Sequence, residues 1–206
     1  METRKEHWEK IYATKKPNEV SWFQQTPTTS IELIKELNLP LTAKIFDNGG
    51  GDSMLVDHLL EMGFSNITVL DISTQAIARV KKRLGEKAKK VKWIIGDEAH
   101  CNPGDQFDVW HDRAAFNFLT DEKEIRNYID TIKKCIKTGG YFIVGTFSES
   151  GPVKCSGLDI KQYSEKSMTE MLKGSFEKIK CFLVDHHTPR GTTQNFLFCT
   201  FKRNPI

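Results

Sequence analysis

The sequence predicts an α/β fold, a mostly parallel sheet with helices on both faces, and three observations carry that prediction. Short apolar runs rich in β-branched and aromatic residues alternate with amphipathic stretches of helical period along most of the chain. The first such run, Lys44-Ile-Phe-Asp47-Asn, leads into Gly49-Gly50-Gly51 and then a helical stretch, the pattern of a β-α-β unit with a glycine-rich first turn. The last two apolar runs, Phe176–His187 and Asn195–Arg203, alternate in strand fashion around Thr188-Pro-Arg-Gly191-Thr, which predicts an antiparallel hairpin.

Residues 1–40 precede the first strand. Thr3–Thr14 reads as a short helix carrying Trp8, Ile11 and Tyr12. Glu19–Pro27 is an aromatic loop containing Trp22 and Phe23. A helix follows from Thr28, capped by Thr28 or Thr29, with Ile31, Leu33, Ile34 and Leu37 on its apolar face and Pro40 beyond its end. Two readings of the aromatic residues stand side by side. They pack onto the core, or they form a lid that excludes water from a site.

The core begins at Lys44. Glycines in the first turn let backbone N–H groups approach a ligand at a helix N-terminus, where a Cβ would intrude. The second strand, Ile67–Asp71, ends on an acid placed to hold the ribose hydroxyls of an adenosine. A dinucleotide turn would require Gly or Ala where Met54 stands. Asp47 beside the loop would repel a pyrophosphate and attract an ammonium or a sulfonium. Ser53 is small and suited to cap the following helix.

Ser73 caps the next helix, which runs to about Leu84 with Ala76, Ile77, Val80 and Leu84 inward. Its basic face reads as solvated surface. The third strand, Val91–Asp97, again ends on an acid, followed by Glu98. Phe107–Phe116 is the fourth strand and the turn after it. There His111, Asp112 and Arg113 lie at the strand's carboxyl end, where open α/β sheets bind ligands. They read either as contacts to ligand, with His111 or Asp112 able to take a proton, or as loop support. Thr120 caps a helix over Asp121–Lys137, Gly139-Gly140 ends it, and Tyr141–Phe147 is the fifth strand. The loop Ser148–Gln162 offers Lys154, Cys155 and Tyr163 as candidate contacts. A helix begins at Ser164 or Ser167 and ends near Lys173.

At 206 residues the chain is predicted to be one domain, with residues 1–40 as a helical cap and 41–206 as the core. Its composition, 38% hydrophobic and 28% charged with a net charge of +3, is that of a globular protein and demands neither nucleic acid nor membrane as a partner. No apolar run approaches the roughly 20 residues of a membrane span, and the N-terminus lacks a secretory signal. Five cysteines, with no Cys-x-x-Cys, predict free thiols in a reducing compartment, hence the cytoplasm. No Cys/His spacing suggests a metal.

Several of these stretches carry a resemblance. His7–Tyr12, Glu19–Gln24, Asp47–Ser53, Asp71 and Trp110–Phe116 together resemble a group of small class I methyltransferases dependent on S-adenosylmethionine (SAM), some described as protein-lysine methyltransferase-like. The aromatic N-terminal segment and Asp112-Arg113-Ala114 are also similar to thiopurine-type methyltransferases, which methylate soft small nucleophiles. The resemblance implies a three-layer α/β/α Rossmann-like sandwich with strand order 3-2-1-4-5-7-6 and the last strand antiparallel. It implies SAM as cofactor and S-adenosylhomocysteine as product. Asp47, Gly49, Gly50, Gly51 and Ser53 would cradle the methionine end, Asp71 and Ile72 the ribose, and Asp97 and Glu98 the adenine. His111 and Trp22 would also touch cofactor, and His111 and Asp112 would be catalytic. Trp8, Tyr12, Arg113, Phe116 and Tyr163 would meet the substrate. The expected acceptor is a small molecule with a thiol or other soft heteroatom, the enzyme being a monomer or weak dimer; the alternatives are a protein lysine, or a SAM-binding module without turnover. No Asn/Asp-Pro-Pro-Tyr/Phe tetrapeptide follows the fourth strand, which argues against nucleic-acid amines and some protein amines.

Overall fold

A computed structural model of the chain describes residues 2–205. Helix α1 (Arg4–Thr14) starts at a capping box in which Thr3 and Glu6 satisfy each other's backbone donors. Helix α2 (Thr28–Glu36) follows the aromatic loop and starts after Pro27, with no side-chain cap where Thr28 or Thr29 was expected. Then come β1 (Lys44–Asn48), α3 (Leu55–Glu61), β2 (Asn66–Asp71), α4 (Thr74–Leu84), β3 (Val91–Ile95) and β4 (Phe107–Arg113). Helix α5 (Glu122–Cys135) is capped by Asp121, whose Oδ1 accepts from the N–H groups of Lys123 and Glu124, rather than by Thr120. It ends two residues earlier than the sequence suggested. Strand β5 (Ile136–Phe147) begins at once, because Ile136 already pairs with Phe107.

The loop after β5 holds a two-strand ribbon, β6 (Lys154–Cys155) and β7 (Leu158–Asp159). Helix α6 (Glu165–Leu172), capped by Ser164, precedes β8 (Phe176–His187) and β9 (Thr193–Arg203). The main sheet has seven strands in the order β3-β2-β1-β4-β5-β9-β8. All pairings are parallel except those of β9 with β5 and β8. This is the expected Rossmann-like order, with crossover helices burying both sheet faces.

One face packs α1 to α4 through residues such as Trp8, Ile34, Leu59 and Val80 against Ile45, Val109 and Ile143. The other packs α5 and α6 through Tyr128, Ile132 and Met168 against Phe46, Trp110 and Phe142. Among the described residues no helix is long and apolar enough to cross a membrane. The expectation of five free thiols is corrected: the antiparallel register sets Cys181 directly opposite Cys199, and the two are bonded, leaving Cys101, Cys135 and Cys155 free.

The pleat decides what the carboxyl end of β4 can do. Successive side chains of a strand point to opposite faces, so His111 and Arg113 face the α1–α4 side and Asp112 the α5 side. There Asp112 is fully buried and accepts four hydrogen bonds: from Asn48 Nδ2 and Tyr128 Oη at 2.7 Å each, and from the N–H groups of Phe116 (3.0 Å) and Ala115 (3.3 Å). Tyr128 in turn accepts from Trp110 Nε1. The expectation of a catalytic Asp112 is therefore corrected; it ties β1, α5 and the turn after β4 together. Asp112→Ala strands these donors in the core, and we expect urea denaturation to show a loss of at least about 3 kcal/mol.

Candidate cofactor and active site

The carboxyl ends of β1, β2 and β4 open onto a cavity of two lobes, roofed by the N-terminal segment. The glycine turn forms its floor. Gly49 has φ +61°, and a Cβ there would lie 2.4 Å from that of Ala115; at Gly51 (φ +51°) a Cβ would lie 2.5 Å from Tyr12 Oη and 3.3 Å from Asp71 Oδ2. Both glycines are thus forced by conformation and by space. Ser53 Oγ accepts from Leu55 N–H, steadying the start of α3.

The first lobe is lined by Trp8, Tyr12, Trp22, Gly49, Asp71, Ile72, Glu98, Arg113, Ala114, Ala115, Phe118 and Cys155. Tyr12, Trp22, Gly49 and Arg113 continue into the second, with Asp47, Gly50, Asp52, Ser53, Leu55, His111 and the loop residues Phe23, Gln24 and Pro27. The sequence thus anticipated much of the wall. It did not anticipate Phe118, which packs edge-on against Trp8 at 5.0 Å. The short 3-10 turn Phe116–Phe118 sends its two phenylalanines to opposite faces of the sheet. Ala114, on the wall, holds φ +61°, an unusual backbone state for a residue with a side chain.

Three other expectations are corrected. Asp97 lines neither lobe; it pairs with Arg4 of α1 at 3.1 Å and caps the turn through Ala99 N–H. Its neighbour Glu98 is the acid on the wall. Phe116 is buried on the far face between Tyr128 and Tyr163, and Tyr163 stacks on it at 5.1 Å. Neither reaches the cavity.

The cap is stapled to the core by charge. Glu9 Oε atoms accept from Ser73 Oγ and from the N–H groups of Thr74 and Gln75 at 2.8–3.0 Å, so α1 caps the N-terminus of α4. Arg4 bridges Asp97 and Glu124. Trp8, Tyr12 and Trp22 meet edge to face or tilted, with centroids 5.5–6.3 Å apart, and form the roof.

Below the roof the acids differ in environment. Asp47 Oδ1 lies 2.7 Å from His111 Nδ1, and His111 Nε2 lies 2.8 Å from Ser30 Oγ, so both ring nitrogens are engaged. Asp52 pairs with Arg79. Asp71 accepts from Ser73 N–H at 2.7 Å, yet burial, with Asp52 and Asp47 nearby, pushes its carboxyl up to about 7. Among the described residues Glu98 has no ion pair, and burial beside Asp97 pushes it up to about 8.

The cavity matches a compact, cationic, adenosine-bearing ligand: a glycine cradle, an acid at the end of β2, and further carboxylates beside the turn. A family model described as a methyltransferase domain matches residues 46–142, the stretch that supplies this floor. The fold is that of class I methyltransferases, and the activity is that of a SAM-dependent methyltransferase. A curated relative, EEF1A lysine methyltransferase 2 of Danio rerio, is 25% identical over 84% of this methyltransferase and 72% of its own length. Among solved structures, one from work on the conversion of a disulfide bond into a thioacetal group during echinomycin biosynthesis has a TM-score of 0.78 at 15% identity, over 97% of this chain and 93% of that one. The N-methyltransferase NodS of Bradyrhizobium japonicum, in complex with S-adenosylhomocysteine, has a TM-score of 0.68 at 17% identity, over 88% and 90%. These overlaps establish the shared fold.

Burial of Asp71 and Glu98 couples stability to pH. Each carboxyl keeps its proton to higher pH folded than unfolded, so its contribution is complete below the ordinary carboxylate range and is lost as pH rises through about 7 and about 8. The ligand-free methyltransferase is expected to melt several degrees lower at about pH 8 than at about pH 6, Glu98 alone contributing roughly 2 kcal/mol. Glu98→Gln should flatten that slope in a thermal melt series.

Proposed function

We propose that this methyltransferase acts on a small acceptor through sulfur or another soft heteroatom. The observation that carries the reading is a roofed cavity in which neither of the two residues expected to take a proton, His111 and Asp112, is free to do so. Asp112 is spent on four donors in the core, and both nitrogens of His111 are engaged by Asp47 and Ser30. An acceptor that is already nucleophilic at neutral pH, such as a thiolate, needs no proton removed within the site; an amine does. When bound, SAM supplies a methyl group activated by its sulfonium. The residues placed to hold it are the Gly49–Gly51 turn and Asp47 at the methionine end, Asp71 and Ile72 at the ribose, and Glu98 toward the adenine. Trp8, Tyr12, Trp22 and Phe118 would align the acceptor and exclude water. Sulfur chemistry around one structural neighbour, the conversion of a disulfide to a thioacetal, supports this choice.

A protein-lysine acceptor is the second reading, favoured by the Danio rerio relative named for that activity. It would require the cap to lift far enough to admit a polypeptide-borne side chain. We place the reaction in the cytoplasm, which Cys101, Cys135 and Cys155 as free thiols support, with the enzyme as a monomer or weak dimer.

Methyl transfer from labelled SAM decides between the acceptors, with small thiols, selenols and metalloid oxyanions in one arm and a whole-cell protein extract in the other. Label is expected in the small-molecule arm, and Trp22→Ala should lower kcat/KM there at least about tenfold. Label confined to one protein band would establish the lysine reading instead.

A further inference from the structure

Strand β3 ends the main sheet, and among the described residues it pairs with β2 alone. Its outer row of backbone N–H and C=O groups is therefore open to another strand. Residues 79–92, which run from α4 into β3, hold eight arginines and lysines against one acid, Glu86. That is a net charge of +7 in fourteen residues of a chain whose total is +3. Three of these cations are answered: Arg79 by Asp52, Arg83 by Asp57 and Lys89 by Glu86. Lys81, Lys82, Lys87, Lys90 and Lys92 are exposed and, among the described residues, have no carboxylate within ion-pair distance. The strand also carries apolar surface. Val91 and Trp93 pack toward α4, and the pleat puts Ile95 on the same face. The three grade from buried through half-buried to 48% exposed. Trp93 is held in place, its Nε1 donating to the carbonyl of Ala88 at 3.0 Å, with Lys81 Nζ over its ring at 5.7 Å.

We propose that the β3 edge docks an extended acidic segment of a partner protein, which joins the sheet as an eighth strand. Charge and backbone chemistry select this occupant. A second copy of this chain, pairing β3 against β3, would set two stretches of net charge +7 side by side, which repels. A nucleic acid would answer the lysines, and its phosphates could accept from the outer N–H groups, but they offer nothing to the carbonyls. An acidic polypeptide satisfies both sets at once: its backbone completes the ladder and its carboxylates meet the free lysines. The same lysines that keep the edge from pairing with itself thus specify what it accepts. None of these residues lines either lobe of the cavity, so the docking recruits a partner and is independent of the methyl acceptor.

Fluorescence anisotropy of labelled peptides with the full chain tests this. An alternating Glu-Val peptide of about ten residues is expected to bind at low ionic strength and to weaken at least about tenfold at about 1 M salt, where the screening length is about 3 Å. The double variant Lys87→Glu, Lys90→Glu is expected to lose at least about tenfold in affinity for it, while binding of S-adenosylhomocysteine stays within about twofold and certifies the fold. The matching Glu-Pro peptide, equally charged but lacking half of the backbone donors, is expected to bind at least about fivefold more weakly. No binding of the Glu-Val peptide to the unaltered chain would overturn the proposal. So would affinity untouched by the charge reversal, or equal binding of the two acidic peptides. Tighter binding of a single-stranded oligothymidylate of the same length would assign the face to nucleic acid instead.

Discussion

Everything at the carboxyl edge of this sheet answers one electrostatic requirement: several acids must share a cavity from which water is largely excluded. Burying a carboxylate without compensation is expensive, and each acid meets the expense differently. Asp47 takes His111, Asp52 takes Arg79, Asp71 takes a backbone N–H, and Glu98 has no salt-bridge partner. On the proposed reading, the cation completing the set would be the ligand's own sulfonium and ammonium. On that reading a bound cation would offset the cost of burying these acids together. Without Trp8, Tyr12 and Trp22 overhead, water would screen the acids and the same carboxylates would discriminate poorly between SAM and its neutral product.

The sheet and its glycine turn were legible because their determinants are local. Strand periodicity, three adjacent glycines and an acid ending the second strand all lie within Lys44–Asp71, and the sheet brings them together by the parallel pairing of β1 and β2. The cap was legible as aromatic residues, and Trp8 and Tyr12 both pack on the core and line the cavity. What the sequence hid was facing. His111, Asp112 and Arg113 look like one polar cluster in the chain, whereas the pleat assigns the outer two to the cavity and the middle one to the opposite core. The same one-residue distinction separates Asp97 from Glu98 and Phe116 from Phe118.

Partners far apart in the chain were equally hidden. Nothing near Asp97 announces that Arg4, 93 residues earlier, will claim it, or that Glu9 will cap a helix beginning at Thr74. The bond between Cys181 and Cys199 follows from strand register rather than from any spacing motif.

The staples of α1 also set an order of events on the ribosome. This helix precedes the other described elements, yet Glu9 waits for Ser73–Gln75, and Arg4 for Asp97 and then for Glu124, 120 residues downstream. An 11-residue helix with mostly polar surface has little reason to hold its shape alone. The contacts that hold the roof thus cannot all form until residue 124 has been made, so a helix near the start of the chain depends on residues supplied much later.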